Sequence, residues 1–155
     1  MPITIEAAPP DAAEALQLLT ELDASLNPHL YPLASRHAFS VAQLVQQRVA
    51  FFVTRVEGAP AGCGGLKLFD GEYGEVKRMY VRPAYRGLGL GQAMLEHLAA
   101  YAQARQIPLL RLETGIYQTN AIRLYERFGF QRRAPFGEYG EDPLSVYFEK
   151  ALTPA

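Results

Sequence analysis

The chain has 155 residues, enough for one domain with a sizeable core, and its 49% apolar and 20% charged residues are ordinary for a soluble globular protein. A net charge of −1 leaves no global field to favour nucleic acid or an anionic membrane. A lone Cys63 excludes an internal disulfide framework, and His29, His37 and His97 are scattered without metal-ligand spacing, so no metal is expected.

Residues Pro2 to Ala8 form a short strand candidate. Pro9-Pro10-Asp11 should cap a helix whose apolar face is Ala12, Ala15, Leu16, Leu19 and Leu22, ended by Asn27-Pro28. After an irregular stretch to Ser40, a short helix is expected around Val41 to Arg48. Ala50 to Val56 and Ala61 to Phe69 read as strands joined by the turn Glu57-Gly58-Ala59-Pro60. Glu75 to Val81 reads as the central strand, stopped by Pro83. A helix from Gln92 to Arg105 should bury Ala93, Met94, Leu95, Leu98, Ala99 and Ala102. A strand from Leu109 to Glu113, a helix from Asn120 to Phe128 closed by Gly129, and strands at Phe130 to Arg133 and Ser145 to Lys150 complete the chain. The order β-α-α-β-β-β-α-β-α-β-β predicts a mixed α/β fold on one sheet, spanning residues 1–155 as a single domain.

Between the central strand and the helix after it lies Arg86-Gly87-Leu88-Gly89-Leu90-Gly91. Alternating glycines let backbone approach a ligand, and a helix starting there presents unpaired N–H groups and a positive dipole end. That geometry suits a phosphate or pyrophosphate, with Lys77, Arg78, Arg82 and Arg86 adding long-range attraction. A nucleoside-triphosphate loop needs Gly-Lys-Ser/Thr, and Gly91 is followed by Gln92-Ala93 instead. A dinucleotide fingerprint needs a third glycine three positions after the second, where Gln92 or Met94 stands. A plain strand-to-helix turn remains the bland reading of the loop taken alone.

Two longer stretches narrow that choice. Glu75 through Gly91 closely resembles motif A of the GNAT acetyltransferase superfamily, with Arg86, Gly89 and Gly91 on its Gln/Arg-x-x-Gly-x-Gly/Ala signature. Asn120-Ala121-Ile122-Arg123-Leu124-Tyr125-Glu126-Arg127-Phe128-Gly129-Phe130, about 30 residues on, resembles motif B. The resemblance covers about residues 50 to 150. It implies the GNAT fold, a mixed, mostly antiparallel sheet splayed between its fourth and fifth strands and flanked by about four helices. It also implies acetyl-CoA as cosubstrate and a primary amine as acceptor.

By that resemblance, the pyrophosphate would lie on backbone N–H groups of the loop, Leu88, Gly89, Gly91 and Gln92 above all, within a cofactor-binding set that also holds Gly87 and Leu90. Arg86 would add a charged contact. The pantetheine arm would pair with the central strand around Met79, Tyr80 and Val81, as an added strand does. Asn120 would touch the arm from the side; a helix N-cap is its plain alternative. Tyr125 matches the motif B tyrosine that protonates the leaving thiolate, with a packed helix aromatic as the alternative.

Acyl transfer needs a neutral amine. A lysine-like ammonium costs about 4.6 kcal/mol to deprotonate at pH 7, an α-ammonium only about 1.4. A general base therefore matters, and two carboxylates are placed for it: Glu75, at the position of the glutamate base in several family members, and Glu113, at the end of the neighbouring strand. Their plain alternatives are a salt bridge with Lys77 or Arg111, or solvation. Cys63 as an acyl carrier is disfavoured, because no histidine neighbours it in sequence.

By the same resemblance, acceptor specificity is expected from the first helices and the last hairpin, which carry Asn27, His29, Tyr31, Arg36 and His37, then Glu138, Tyr139, Glu141, Asp142 and Ser145, with solvated loops as the alternative. The leading expectation is direct acetyl transfer to a small amine in a ternary complex. The rivals are a protein or peptide N-acetyltransferase and a non-catalytic acyl-CoA sensor. No nucleic-acid or membrane partner is expected. The start Met1-Pro2-Ile3-Thr4 lacks a signal-peptide pattern and no apolar run reaches bilayer-spanning length, so the cytosol is the default compartment. Exposed strands of the last hairpin are compatible with a homodimer.

Overall fold

The structure is a computed structural model that describes residues 1–26, 29–30 and 39–154. The elements follow the expected order: β1 (Ile3–Ala7), α1 (Ala13–Ser25), α2 (Val41–Gln46), β2 (Ala50–Val56), β3 (Ala59–Phe69), β4 (Tyr73–Val81), α3 (Leu90–Ala104), β5 (Leu109–Gly115), α4 (Thr119–Phe128), β6 (Gln131–Arg133) and β7 (Ser145–Ala151). A 3-10 turn, Pro83–Tyr85, sits between β4 and α3.

All the strands join one seven-stranded sheet in the order β1-β2-β3-β4-β5-β7-β6. Every neighbouring pair is antiparallel except β4 and β5, which run parallel. That parallel pair is short. Only Gly74 opposite Leu110 and Glu75 opposite Arg111 are in register, and beyond Glu75 the two strands part.

A β-bulge in β4 accompanies the split. Cys63 faces Tyr80 while Gly65 faces Lys77, so Arg78 and Met79 together stand opposite Gly64. Arg78 adopts a left-handed φ of 56°, and an inserted residue of this kind bends the strand and increases its twist. It also switches the faces of the strand: Val76 and Met79 both pack toward α3, and Tyr80 packs toward α1. Gly64 permits the close approach, since a β-carbon there would lie 2.8 Å from Met94 Cγ.

The sheet is covered on both faces. Leu18 and Leu19 of α1 and Leu44 of α2 bury Phe51, Val53 and Cys63 on one side. On the other, Leu95 and Leu98 of α3 and Ile122 and Tyr125 of α4 bury Phe52, Leu66, Val76, Leu110, Leu112 and Phe148. The first helix departs from expectation. Its buried residues are Ala15, Leu18 and Leu19, while Leu16 is exposed. Its N-cap is Ala12 without a side-chain hydrogen bond, so Pro9-Pro10-Asp11 precedes the helix and does not cap it. By contrast α2 has a reciprocal capping box between Ser40 and Gln43. Asn27-Pro28 lies outside the described residues.

Candidate active site

The parting of β4 from β5 opens a cleft through the sheet. Glu75, Lys77, Arg78 and Met79 line it from β4, Leu112 to Gly115 from β5, Tyr125 from α4, Leu22 and Ser25 from α1, and Tyr139 from the loop between β6 and β7. In an unbroken sheet, groups on opposite faces are screened from each other. Here the α4 side contributes Tyr125, and the other side contributes Glu75, Lys77, Glu113 and Tyr139. The effect is electrostatic as well as geometric: burial pushes the Tyr125 phenol well above its ordinary range, and the Glu113 carboxylate raises it further. The Tyr125 ring is fixed between Phe130 and Phe148.

Both sequence-predicted carboxylates reach the cleft, with different partners. Glu75, 4% exposed, is ion-paired with Lys77 at 2.9 Å and accepts a hydrogen bond from the Tyr139 hydroxyl. Glu75 lies two residues inside β4 and does not open it. The salt bridge with Lys77, the plain alternative for these carboxylates, is present at Glu75. Arg111 instead pairs with Glu149 at 2.7 Å and stacks over Tyr73. Glu113 accepts a hydrogen bond from Ser145 at 2.7 Å. Burial lowers the Lys77 ammonium from its ordinary range, against the opposing pull of Glu75.

At the far end of β4 the glycine loop turns into α3 through two left-handed glycines. Gly87 and Gly89 have φ of 84° and 79°, which only glycine adopts at little cost, and Gly89 is the N-cap of α3. A glycine cap supplies no side-chain acceptor, and the first helical hydrogen bond is Ala93 N–H to Gly89 O. The N–H groups of Leu90, Gly91 and Gln92 therefore have no intrahelical acceptor. Gly91 has a second reason to be glycine: a β-carbon there would lie 2.7 Å from Leu124 Cδ2, where α3 crosses α4.

The four cations expected to attract the anion do not act together. Lys77 is paired with Glu75. Arg78 donates to the Leu19 carbonyl and pairs with Asp23, and Arg82 holds Glu21 through two nitrogens and donates to the Pro60 carbonyl. These arginines fasten α1 to the sheet. Only Arg86 stays exposed at the loop, its Nε donating to the Val81 carbonyl at 3.1 Å. Arg78 also keeps one buried nitrogen, Nε, with no acceptor among the described residues, beside the open edge of β4.

Other expected positions separate in the same way. Met79 lines the cleft, whereas Tyr80 faces α1 and donates to Glu21 at 3.3 Å, a consequence of the bulge. Asn120 is exposed in the first turn of α4; the N-cap is Gln118, so the capping alternative for Asn120 does not hold. Tyr139 and Ser145 are in the site. Asn27, Tyr31, Arg36 and His37 lie outside the described residues. Cys63 is buried, its thiol pushed up to about 12 by burial and donating to the Arg78 carbonyl, so it packs under the bulge. The contact of Lys77 with the Phe39 ring, 3.7 Å to the centroid, had no signal in sequence, because 38 residues separate the two.

Among known proteins, the model of the acetyltransferase (GNAT) family matches residues 16–130. The chain belongs to the GNAT acetyltransferase family. It is 42% identical over 151 residues to an IAA acetyltransferase from Azospirillum brasilense, covering 97% of this chain and 98% of that protein. Its fold matches the crystal structure of a candidate acyl-CoA N-acyltransferase from Klebsiella pneumoniae with a TM-score of 0.83 and 41% identity, over 97% of this chain and 98% of that one. The PaiA N-acetyltransferase of Thermoplasma acidophilum, solved in complex with coenzyme A, shares the fold with a TM-score of 0.78 at 18% identity, over 97% of this chain and 99% of that one. This acetyltransferase has no group of three or more His, Cys, Asp or Glu placed to hold a metal among its described residues, and no described helix is long and apolar enough to cross a membrane.

Proposed function

We propose that this acetyltransferase uses acetyl-CoA to acetylate a primary amine of a small molecule by direct attack in a ternary complex. The observation that carries the reading is the single cleft through the β4–β5 split, with a phenol on one face of the sheet and two carboxylates on the other. The residues present fit coenzyme A. The uncapped α3 N-terminus and exposed Arg86 suit a pyrophosphate, and the open β4 edge around Met79 with the acceptor-less Arg78 Nε suits an amide-bearing arm. Acetyl-CoA supplies the activated acetyl group and the thiol that leaves.

The chain's own groups divide the remaining work. The amine must reach the cleft neutral, and Glu75 or Glu113 takes its proton, directly or through water. The buried Tyr125 phenol keeps its proton across the physiological range and hydrogen-bonds the departing sulfur, which stabilises thiolate in a water-poor site.

The test is thiol release from acetyl-CoA against a panel of amines, run beside calorimetric titration of acetyl-CoA alone. IAA is tested as a separate acceptor beside the amine panel, because the Azospirillum relative is named for it. Amine-dependent release establishes the reading. Tight acetyl-CoA binding without release for any small acceptor turns it toward a peptide acceptor or a sensor.

A further inference from the structure

Three polar groups at the acceptor end of the cleft form a closed ring. Lys77 Nζ lies 2.9 Å from Glu75 Oε2 and donates to the Tyr139 hydroxyl at 2.9 Å, and that hydroxyl donates to the same Glu75 oxygen at 2.5 Å. Lys77 and Glu75 are 6% and 4% exposed, so two opposite charges are held out of water by each other and by one phenol. A third side of the ammonium rests on the Phe39 ring.

Glu75 and Lys77 belong to β4. Tyr139 belongs to the loop between β6 and β7, which is fastened on the other side of the split: the Tyr147 hydroxyl donates to the Gly140 carbonyl at 2.9 Å, and Ile116 N–H donates to the Leu144 carbonyl at 3.0 Å. The backbone ladder between β4 and β5 ends at Glu75 and Arg111. One lip of the cleft is therefore tied to the other, past the end of the ladder, by the Tyr139 hydroxyl.

We propose that Tyr139 is a positioning residue for acyl transfer, a strut that spans the splayed strands and holds Glu75 and Lys77 in fixed orientation facing the acceptor amine. The strut explains how a sheet opened at its centre keeps its two lips in register. It also explains why a buried lysine stands beside a candidate catalytic carboxylate. Lys77 balances the charge of Glu75, and Tyr139 removes the freedom of both side chains to turn. In the proposed complex acetyl-CoA would approach from the α3 end, so its binding should not depend on the ring. The functional half of this inference rests on the proposed amine acetylation; the structural half does not.

The experiment compares the full-length protein with Tyr139→Phe. Phenylalanine preserves the ring contacts to Phe136 and Tyr147 and deletes only the hydroxyl. The first readout needs no substrate: the rate at which an acylating reagent labels Lys77, followed by mass spectrometry. Loss of a hydrogen bond to a charged group is expected to raise that rate about tenfold or more. Unchanged labelling overturns the strut whatever the enzyme acetylates. The second readout is turnover with the best amine from the panel. A drop of about ten- to one-hundredfold in kcat/KM for the amine, with acetyl-CoA affinity unchanged, supports the positioning role. An equal loss of acetyl-CoA affinity, or full turnover per folded molecule despite a lower Tm, overturns it. In the double variant with Lys77→Met the losses should be less than additive, because both changes break one ring.

Discussion

Glu75 and Arg111 form the last pair by which β4 and β5 hold together, and Glu75, with Lys77 and Glu113 two residues beyond the pair on either strand, carries charge into the cleft. A parallel pair of full length would have closed the sheet between Tyr125 and the two glutamates. The chemistry therefore depends on where a backbone ladder stops as much as on which residues are present.

Tyr125→Phe should lower kcat by about a hundredfold or more, in the range of a lost hydrogen-bond donor to developing charge, with acetyl-CoA affinity nearly unchanged by calorimetry. Burial raises this phenol, with Glu113 adding to the effect, so it should produce no basic limb in the rate profile below about pH 10. The sign for stability follows from the same shift. The buried neutral phenol contributes fully below the unfolded value and loses its contribution as pH rises through the higher folded one. Alkaline unfolding should thus begin at higher pH in Tyr125→Phe than in the parent, relative to each protein's stability at pH 8. Circular dichroism against pH checks this.

Glu75→Gln and Glu113→Gln separate the candidate bases. The true base should show the larger loss at neutral pH, and the loss should be greater for a lysine-like amine than for one ionising near 8. The proton to be removed costs about 3 kcal/mol more in the first case. Steady-state kinetics with one amine of each kind decides it. A loss independent of amine pKa would assign the glutamate to binding.

Arg86 and Arg82 should behave as opposites despite their proximity in sequence. Arg86→Ala should weaken acetyl-CoA binding about tenfold at low salt, an effect that shrinks with ionic strength, and should leave Tm within a degree or two. Arg82→Ala removes the hydrogen bonds to Glu21 and the Pro60 carbonyl, so it should lower stability by about 1–3 kcal/mol and affect affinity less. Calorimetry at two salt concentrations with thermal melts distinguishes the two.

Gly91→Ala should destabilise by about 1–2 kcal/mol, since the new methyl meets Leu124 Cδ2 and a flexible side-chain end must give way. Pairing it with Leu124→Ala should recover part of the loss caused by the crowding, giving a non-additive cycle. Gly89→Ala has no neighbour to clash with, yet its φ of 79° should cost about 1–2 kcal/mol that no second-site change relieves. Denaturant melts of the four variants make the comparison.

Several elements are set by forces that act between residues near in sequence. The strand at Ala50–Val56, the helix closed by Gly129 at φ 108° and the glycine-capped α3 follow from alternation, periodicity and backbone freedom near in sequence. The apolar face expected of the first helix holds at Ala15 and Leu19 and shifts from Leu16 to Leu18, because the buried stripe is chosen by what the sheet offers. The four basic residues looked alike in the sequence. Three of them are neutralised by Glu75, Asp23 and Glu21, the latter two more than 50 residues away on α1.

The sequence by itself determined the order of elements, the glycine loop at a helix start and the family, because each is written in residues that are neighbours along the chain. Tertiary structure alone decided that Tyr80 turns away from the cleft while Met79 lines it, and that Tyr139 closes a ring with Glu75 and Lys77. The first depends on a bulge set by pairing with β3, and the second on a contact across 62 to 64 residues. Neither has a local signature, since side-chain direction and long-range partners are fixed only when the strands dock.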